Sequence, residues 1–100
     1  MQNNKLQFLY MIKPFKENFS ESMNEEESKI MSSHFEYLKT LLESKKLVLA
    51  GPETSGKFGL VVFEAESEDE AKSLMNNDPA VKSGIVSAEL FPYRVSLLKS

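Results

Sequence analysis

Apolar side chains recur along this chain at two spacings, and the spacing predicts the element order. Residues 6–12, LQFLYMI, are a near-continuous apolar and aromatic run, which predicts a buried strand. Pro14 is expected to end it, because proline offers no ladder donor. Residues 15–24, FKENFSESMN, read as a polar link with two Phe, long enough to be either a lid or an ordered loop. Residues 25–44 then carry Ile30, Met31, Phe35, Leu38, Leu41 and Leu42 on one face at 100° per residue. Asn24 and Glu27 supply a capping box for this helix. Glu25–Glu27 sit where the dipole favours anions.

Residues 46–50, KLVLA, are a second short strand, expected to stop at Gly51-Pro52. Glu53–Lys57 is turn material, and residues 58–66, FGLVVFEAE, form a third strand. Ser67–Glu70 reads as a capping box that opens a second helix over residues 67–76. Asn77-Asp78-Pro79 ends it, since the residue before proline avoids helical geometry. Residues 85–98 contain a fourth strand with its large side chains at odd positions. Pro92 places that strand at an edge or a bulge. The order βαββαβ is that of an α+β, ferredoxin-like domain: a four-stranded antiparallel sheet with both helices on one face. The strands are apolar on both faces, Leu60 and Val62 alternating with Val61, Phe63 and Ala65. The face without helices is therefore expected to pack against a second copy in a C2 homodimer.

Composition narrows the function classes. One domain over residues 1–100 is the expectation for this length. The chain has no Cys, so neither a disulfide framework nor a thiolate nucleophile is available. One His excludes a multi-His metal site within one chain, and no metal or cofactor is expected. A net charge of −3 argues against nucleic acid as the main partner. No apolar run approaches the ~20 residues of a membrane span. The first residues lack the pattern of a signal peptide, so a cytoplasmic location is expected. There is no phosphate loop, no GxSxG, no HExxH and no dinucleotide fingerprint.

His34 is the sharpest chemical feature. With Ile30 at zero on the helical wheel, His34 falls at roughly 40°, between Leu41 at roughly 20° and Leu38 at roughly 80°. The only imidazole thus points with the apolar stripe. It is either a core histidine bonded to a backbone carbonyl or a general acid or base at a cavity. Asp78 is either an Asx-Pro helix stop or a carboxylate that orients His34. Gly51-Pro52 reads as a turn or a pocket wall. Tyr37, Tyr93 and Arg94 are read as pocket lining, or the aromatics among them as core.

His34 is followed by FEYLKTLLESKKLVLAGP, then by GLVVFEAESEDEAKSLMNNDPAVKSG and ELFPYRV. In this order these segments resemble the YCII-related family of small bacterial proteins over nearly the whole chain. The resemblance implies a ferredoxin-like fold in a dimeric α/β barrel and a pocket between sheet and helices. It also implies an active site around His34 and Asp78. Two positions depart from the family pattern. Met31 stands where many relatives carry an Arg, and residues 43–46 lack a Gly, with Glu43 the candidate to replace an acid. The reading that follows is a cofactor-independent lyase or isomerase using a His34–Asp78 acid–base pair on a small molecule, aromatic compounds being among the candidates. The alternatives are a module that binds a small ligand without chemistry and a structural dimer.

Overall fold

The computed structural model describes residues 6–99. Residues 1–5, where a leader's basic start would fall, and residue 100 lie outside the described residues. The element order is β1 (Leu6–Pro14), α1 (Phe19–Ser22), α2 (Glu25–Glu43), β2 (Leu47–Pro52), β3 (Gly59–Ala65), α3 (Glu68–Asn76), α4 (Pro79–Lys82) and β4 (Val86–Tyr93). All pairings are antiparallel and the sheet order is β2-β3-β1-β4. This is the ferredoxin-like arrangement, with the two longest apolar runs, β1 and β3, in the centre and β2 and β4 at the edges. Pro92 sits opposite Phe8 on edge strand β4, where a missing donor costs least.

Register divides the sheet into two faces. Phe8 opposes Phe63 and Tyr10 opposes Val61, and all four are buried under the helices. Tyr10 meets Phe63 edge-on, ring centroids 5.6 Å apart. The other face carries Leu9 opposite both Val62 and Phe91, and Met11 opposite Leu60. The amphipathic side of α2 covers the inner face through Leu38 and Leu41, both buried.

Local sequence accounts for the element ends, with some differences from expectation. The Asn24–Glu27 capping box forms in both directions. At α3 only half of one forms. Ser67 Oγ accepts from Glu70 N–H, but the Glu70 carboxylate reaches one residue further back, to Glu66 N–H. β1 continues to Pro14 and β2 continues through Gly51 and Pro52, because these residues lie at strand ends where one ladder bond is dispensable. The 15–24 link contains α1, a single turn entered through Asn18 in the left-handed region and anchored by buried Phe19. Lys16 ties it to α2 through Glu27, 3.0 Å. The Asn24 backbone N–H, then Lys16, hold the Glu27 carboxyl below its usual range. α1 meets the β2–β3 turn at Gly56, whose φ is +81°. A Cβ there would stand 2.8 Å from Ser20 Oγ and would sit on a backbone that side chains rarely adopt, so glycine favours this close approach.

Phe35 and Leu42, expected in the core, are 62% and 55% exposed. The apolar arc of α2 is wider than the surface the sheet presents to it, and its overhang becomes the wall of an open cavity.

α2 ends in a Schellman arrangement: Lys46 N–H donates to Leu41 O and Lys45 N–H to Leu42 O. The left-handed residue is Lys45, φ 66°, where glycine is the strain-free choice. Lys45→Gly is expected to raise stability by about 0.5–1 kcal/mol, measured by urea denaturation.

Candidate active site

Three elements converge beneath α2. β1 runs through the middle of the sheet and points Tyr10 up from its inner face. α2 crosses above it and turns His34 down along its apolar stripe. The break between α3 and α4 brings in Asp78. Its extended backbone (φ −62°, ψ 125°) is the geometry that Pro79 imposes on the preceding residue. Proline at the first position of α4 needs no donor, and Asp78 caps the turn by accepting the Ala80 N–H at Oδ1, 2.9 Å. The helix stop expected from Asn77-Asp78-Pro79 and a carboxylate aimed at the histidine are thus the same structure.

Asp78 is fully buried. His34 Nδ1 lies 2.8 Å from Oδ1 and 2.9 Å from Oδ2. The Tyr10 hydroxyl donates to Oδ2 at 2.7 Å. With the Ala80 amide, three donors surround the carboxylate, matching its acceptor-only ionised form. The Nδ1 proton therefore faces Asp78, and in the neutral ring Nε2 keeps its lone pair. Among the described residues Nε2 has no protein hydrogen bond. The His34 side chain is 12% exposed.

Tyr10 reads in the sequence as one more aromatic of a buried run, and only its hydroxyl sets it apart. Burial, then the Asp78 charge, push that hydroxyl well above its ordinary range, so it remains a donor. Tyr37 lies one turn from His34 on the flank toward α3. Its hydroxyl donates to Leu74 O at 2.6 Å, and burial, then Asp78, push it up to about 12.

His34 also lines a cavity of about 630 Å³ between α2 and the β2 half of the sheet. Gly51 and Pro52 line it too, from within β2 rather than from a turn. Tyr37, Glu43, Tyr93 and Arg94 do not. Tyr37 faces α3, Glu43 is exposed at the end of α2, Tyr93 is half exposed on the outer face and Arg94 is exposed beyond β4. The cavity walls are otherwise almost wholly apolar: Met31, Phe35, Leu38 and Phe58 are representative, and Lys39 and His34 are the ionisable side chains among them. Among the described residues no group of three or more His, Asp or Glu side chains converges in a way that holds a metal. No helix among them is long and apolar enough to cross a membrane.

These features define a ferredoxin-like α+β domain with a buried carboxylate–imidazole pair at the wall of an apolar cavity. The chain belongs to the YCII-related domain family, whose model matches residues 7–93. The uncharacterised protein YjpA of Bacillus subtilis (strain 168) is 37% identical over 71 residues, covering 71% of this chain and 78% of YjpA. Among solved structures, 5-chloro-2-hydroxyhydroquinone dehydrochlorinase (TftG) from Burkholderia phenoliruptrix AC1100 superposes with a TM-score of 0.71. It is 22% identical, and the match covers 89% of this chain and 94% of that one. That structure is a complex with 2,5-dihydroxybenzoquinone. The uncharacterised protein TM1266 from Thermotoga maritima matches with a TM-score of 0.51 at 13% identity, over 90% of this chain and 98% of its own. Likeness at these two identities speaks to the fold.

A tyrosine whose hydroxyl titrates higher in the folded chain than in the unfolded one stabilises the fold fully below the unfolded value. That stabilisation is lost as pH rises above it. Stability is therefore expected to fall above about pH 10, with Tyr10 contributing a slope of up to about 1.4 kcal/mol per pH unit. Urea denaturation across this range should show a shallower decline in Tyr10→Phe. That variant starts about 1–2 kcal/mol less stable because Asp78 loses a donor.

Proposed function

We propose that this protein is a small acid–base catalyst of lyase or isomerase type acting on a small aromatic molecule, with His34 as the base. The observation that carries this reading is the pairing of His34 Nδ1 with a fully buried Asp78 at the wall of a cavity. Nε2 takes a proton from an acidic C–H or O–H of the bound molecule. Asp78 fixes the tautomer and stabilises the imidazolium that forms, and Tyr10 and the Ala80 amide hold Asp78 in place. In a lyase step, the electrons of the broken C–H bond form a double bond as a leaving group departs with its own bonding pair. In an isomerase step the imidazolium returns the proton to a different carbon. The assignment of a dehydrochlorinase to the similarly folded TftG supports the lyase form.

The proton-transfer step can be read without knowing the natural substrate. In D2O, 2-tetralone, an enolisable aromatic ketone, should exchange its acidic C–H protons faster with the protein than without it. His34→Ala should reduce the protein-dependent exchange at least 100-fold, followed by proton NMR. Exchange unchanged in that variant would remove His34 as the base. Binding of the ketone with no exchange in either protein would leave a ligand-binding cavity without chemistry.

The same reading has a second copy covering the outer face of the sheet. Leu9, Met11, Leu60, Val62 and Phe91 form a continuous apolar band there, with Lys13, Glu64 and Glu89 around it. The chain leaving β4 is drawn to this face, where Val95 N–H donates to Gln7 Oε1 at 2.7 Å. Light scattering at micromolar concentration should give about twice the 11.3 kDa chain mass, and the single-chain mass would count against the dimer.

A further inference from the structure

The walls of the His34 cavity specify a ligand class more narrowly than the acid–base chemistry does. The cavity volume is about 630 Å³. A void of about 150 Å³ already holds benzene, so a single ring leaves most of this space unfilled. Ile12, Leu47, Ala50, Phe58 and Val61 come from the sheet side, and Met31, Phe35, Leu38 and Leu42 from α2. The two ionisable groups differ in kind. His34 is 12% exposed and already committed to Asp78 through Nδ1. Lys39 is half exposed, stands 5.8 Å from the Phe35 ring and pairs with Glu36 at 3.5 Å. Its charge is hydrated and partly neutralised at the mouth, so no desolvated cation is available to receive an anion in the interior.

A carboxylate or a polyhydroxylated ring entering this space would lose water and find few partners. A second negative charge would also approach the buried Asp78 carboxylate from the other side of the imidazole. An apolar multi-ring compound gains from every carbon it buries, about fourfold in affinity per methylene-sized group.

We propose that the ligand of this site is an uncharged, predominantly apolar compound larger than one ring, with a single weakly acidic proton, such as an aryl ketone or a monophenol. Carboxylates and small polyhydroxylated rings are excluded. This rests on the acid–base reading for the acidic proton alone. The size and polarity of the ligand follow from the walls.

Met31 precedes His34 by three positions on α2, which puts it on the same side of the helix, and it lines the cavity. It is the position at which a cation would change the ligand's permitted charge. Met31→Arg should therefore admit an anion that the natural site rejects.

The test is a titration of the 15N-labelled full chain with 2-naphthol, hydroquinone and 2-naphthoate, followed at the amides of cavity residues such as Met31, Leu38 and Gly59. The expected result is 2-naphthol binding at least fivefold more tightly than either of the others. In Met31→Arg, 2-naphthoate should gain at least fivefold. A smaller margin in the natural protein would overturn the ligand class, as would an absence of 2-naphthol shifts at these amides. No gain for 2-naphthoate in Met31→Arg would overturn the charge argument. The readings separate cleanly. Tight 2-naphthol binding without 2-tetralone exchange leaves the ligand class standing and removes the base. His34-dependent exchange with hydroquinone binding equally well removes the ligand class alone.

Discussion

A carboxylate buried without partners would cost several kcal/mol, and the organisation of this domain follows from the way Asp78 avoids that cost. Its three donors come from three separate places: Tyr10 in the centre of the sheet, His34 in the middle of the long helix, and the Ala80 amide at the start of α4. The bonds from Tyr10 and His34 each fix a distance between layers that apolar packing alone would leave free to slide, and the Ala80 amide holds the carboxylate within its own turn. The inner core of Phe8, Phe63, Leu38 and Leu41 provides most of the burial, but such side chains accept many relative positions of a helix on a sheet. The carboxylate accepts few. Position of the helix and orientation of the imidazole are therefore one constraint.

The cavity arises from a mismatch between helix and sheet. On the wheel, Leu38 and Leu41 face the sheet, Tyr37 falls on the flank toward α3, and Met31, Phe35 and Leu42 fall on the flank toward β2. β2 is the short edge strand, irregular between Leu47 and Leu49, and residues of both the strand and that flank line the cavity. The space between becomes the apolar pocket. α1 and the β2–β3 turn close its rim by touching at Ser20 and Gly56.

Much of this was legible in the residues alone. The near-continuous apolar runs LQFLYMI and GLVVFEA, the 3.6-residue stripe of α2 and the Asp-Pro stop are local signals, and they place the strands, the long helix and the turn that carries Asp78. The direction of His34 followed from the wheel because the angle is a property of the helix itself. Tyr10 was not legible, since a hydroxyl in an apolar run declares its purpose only when a distant acceptor arrives. The exposure of Phe35 and Leu42 was not legible either: periodicity gives the width of an apolar face and says nothing about how much of it a neighbour covers. Tyr37 and Glu43 illustrate the same limit, one turned toward α3 and the other out to solvent. α1 escaped because one helical turn has no periodicity to detect, and Phe19 looked like any aromatic in a polar link.

The two contacting segments at the cavity rim have a separate consequence. The imidazole, carboxylate and phenol sit on elements locked together by the core, whereas much of the surrounding wall sits on an edge strand, a single helical turn and a loop joined across one glycine. Substitutions in those peripheral pieces can reshape what enters while leaving the buried His34–Asp78–Tyr10 cluster undisturbed. The rim of the cavity and its buried polar cluster can therefore vary independently of one another.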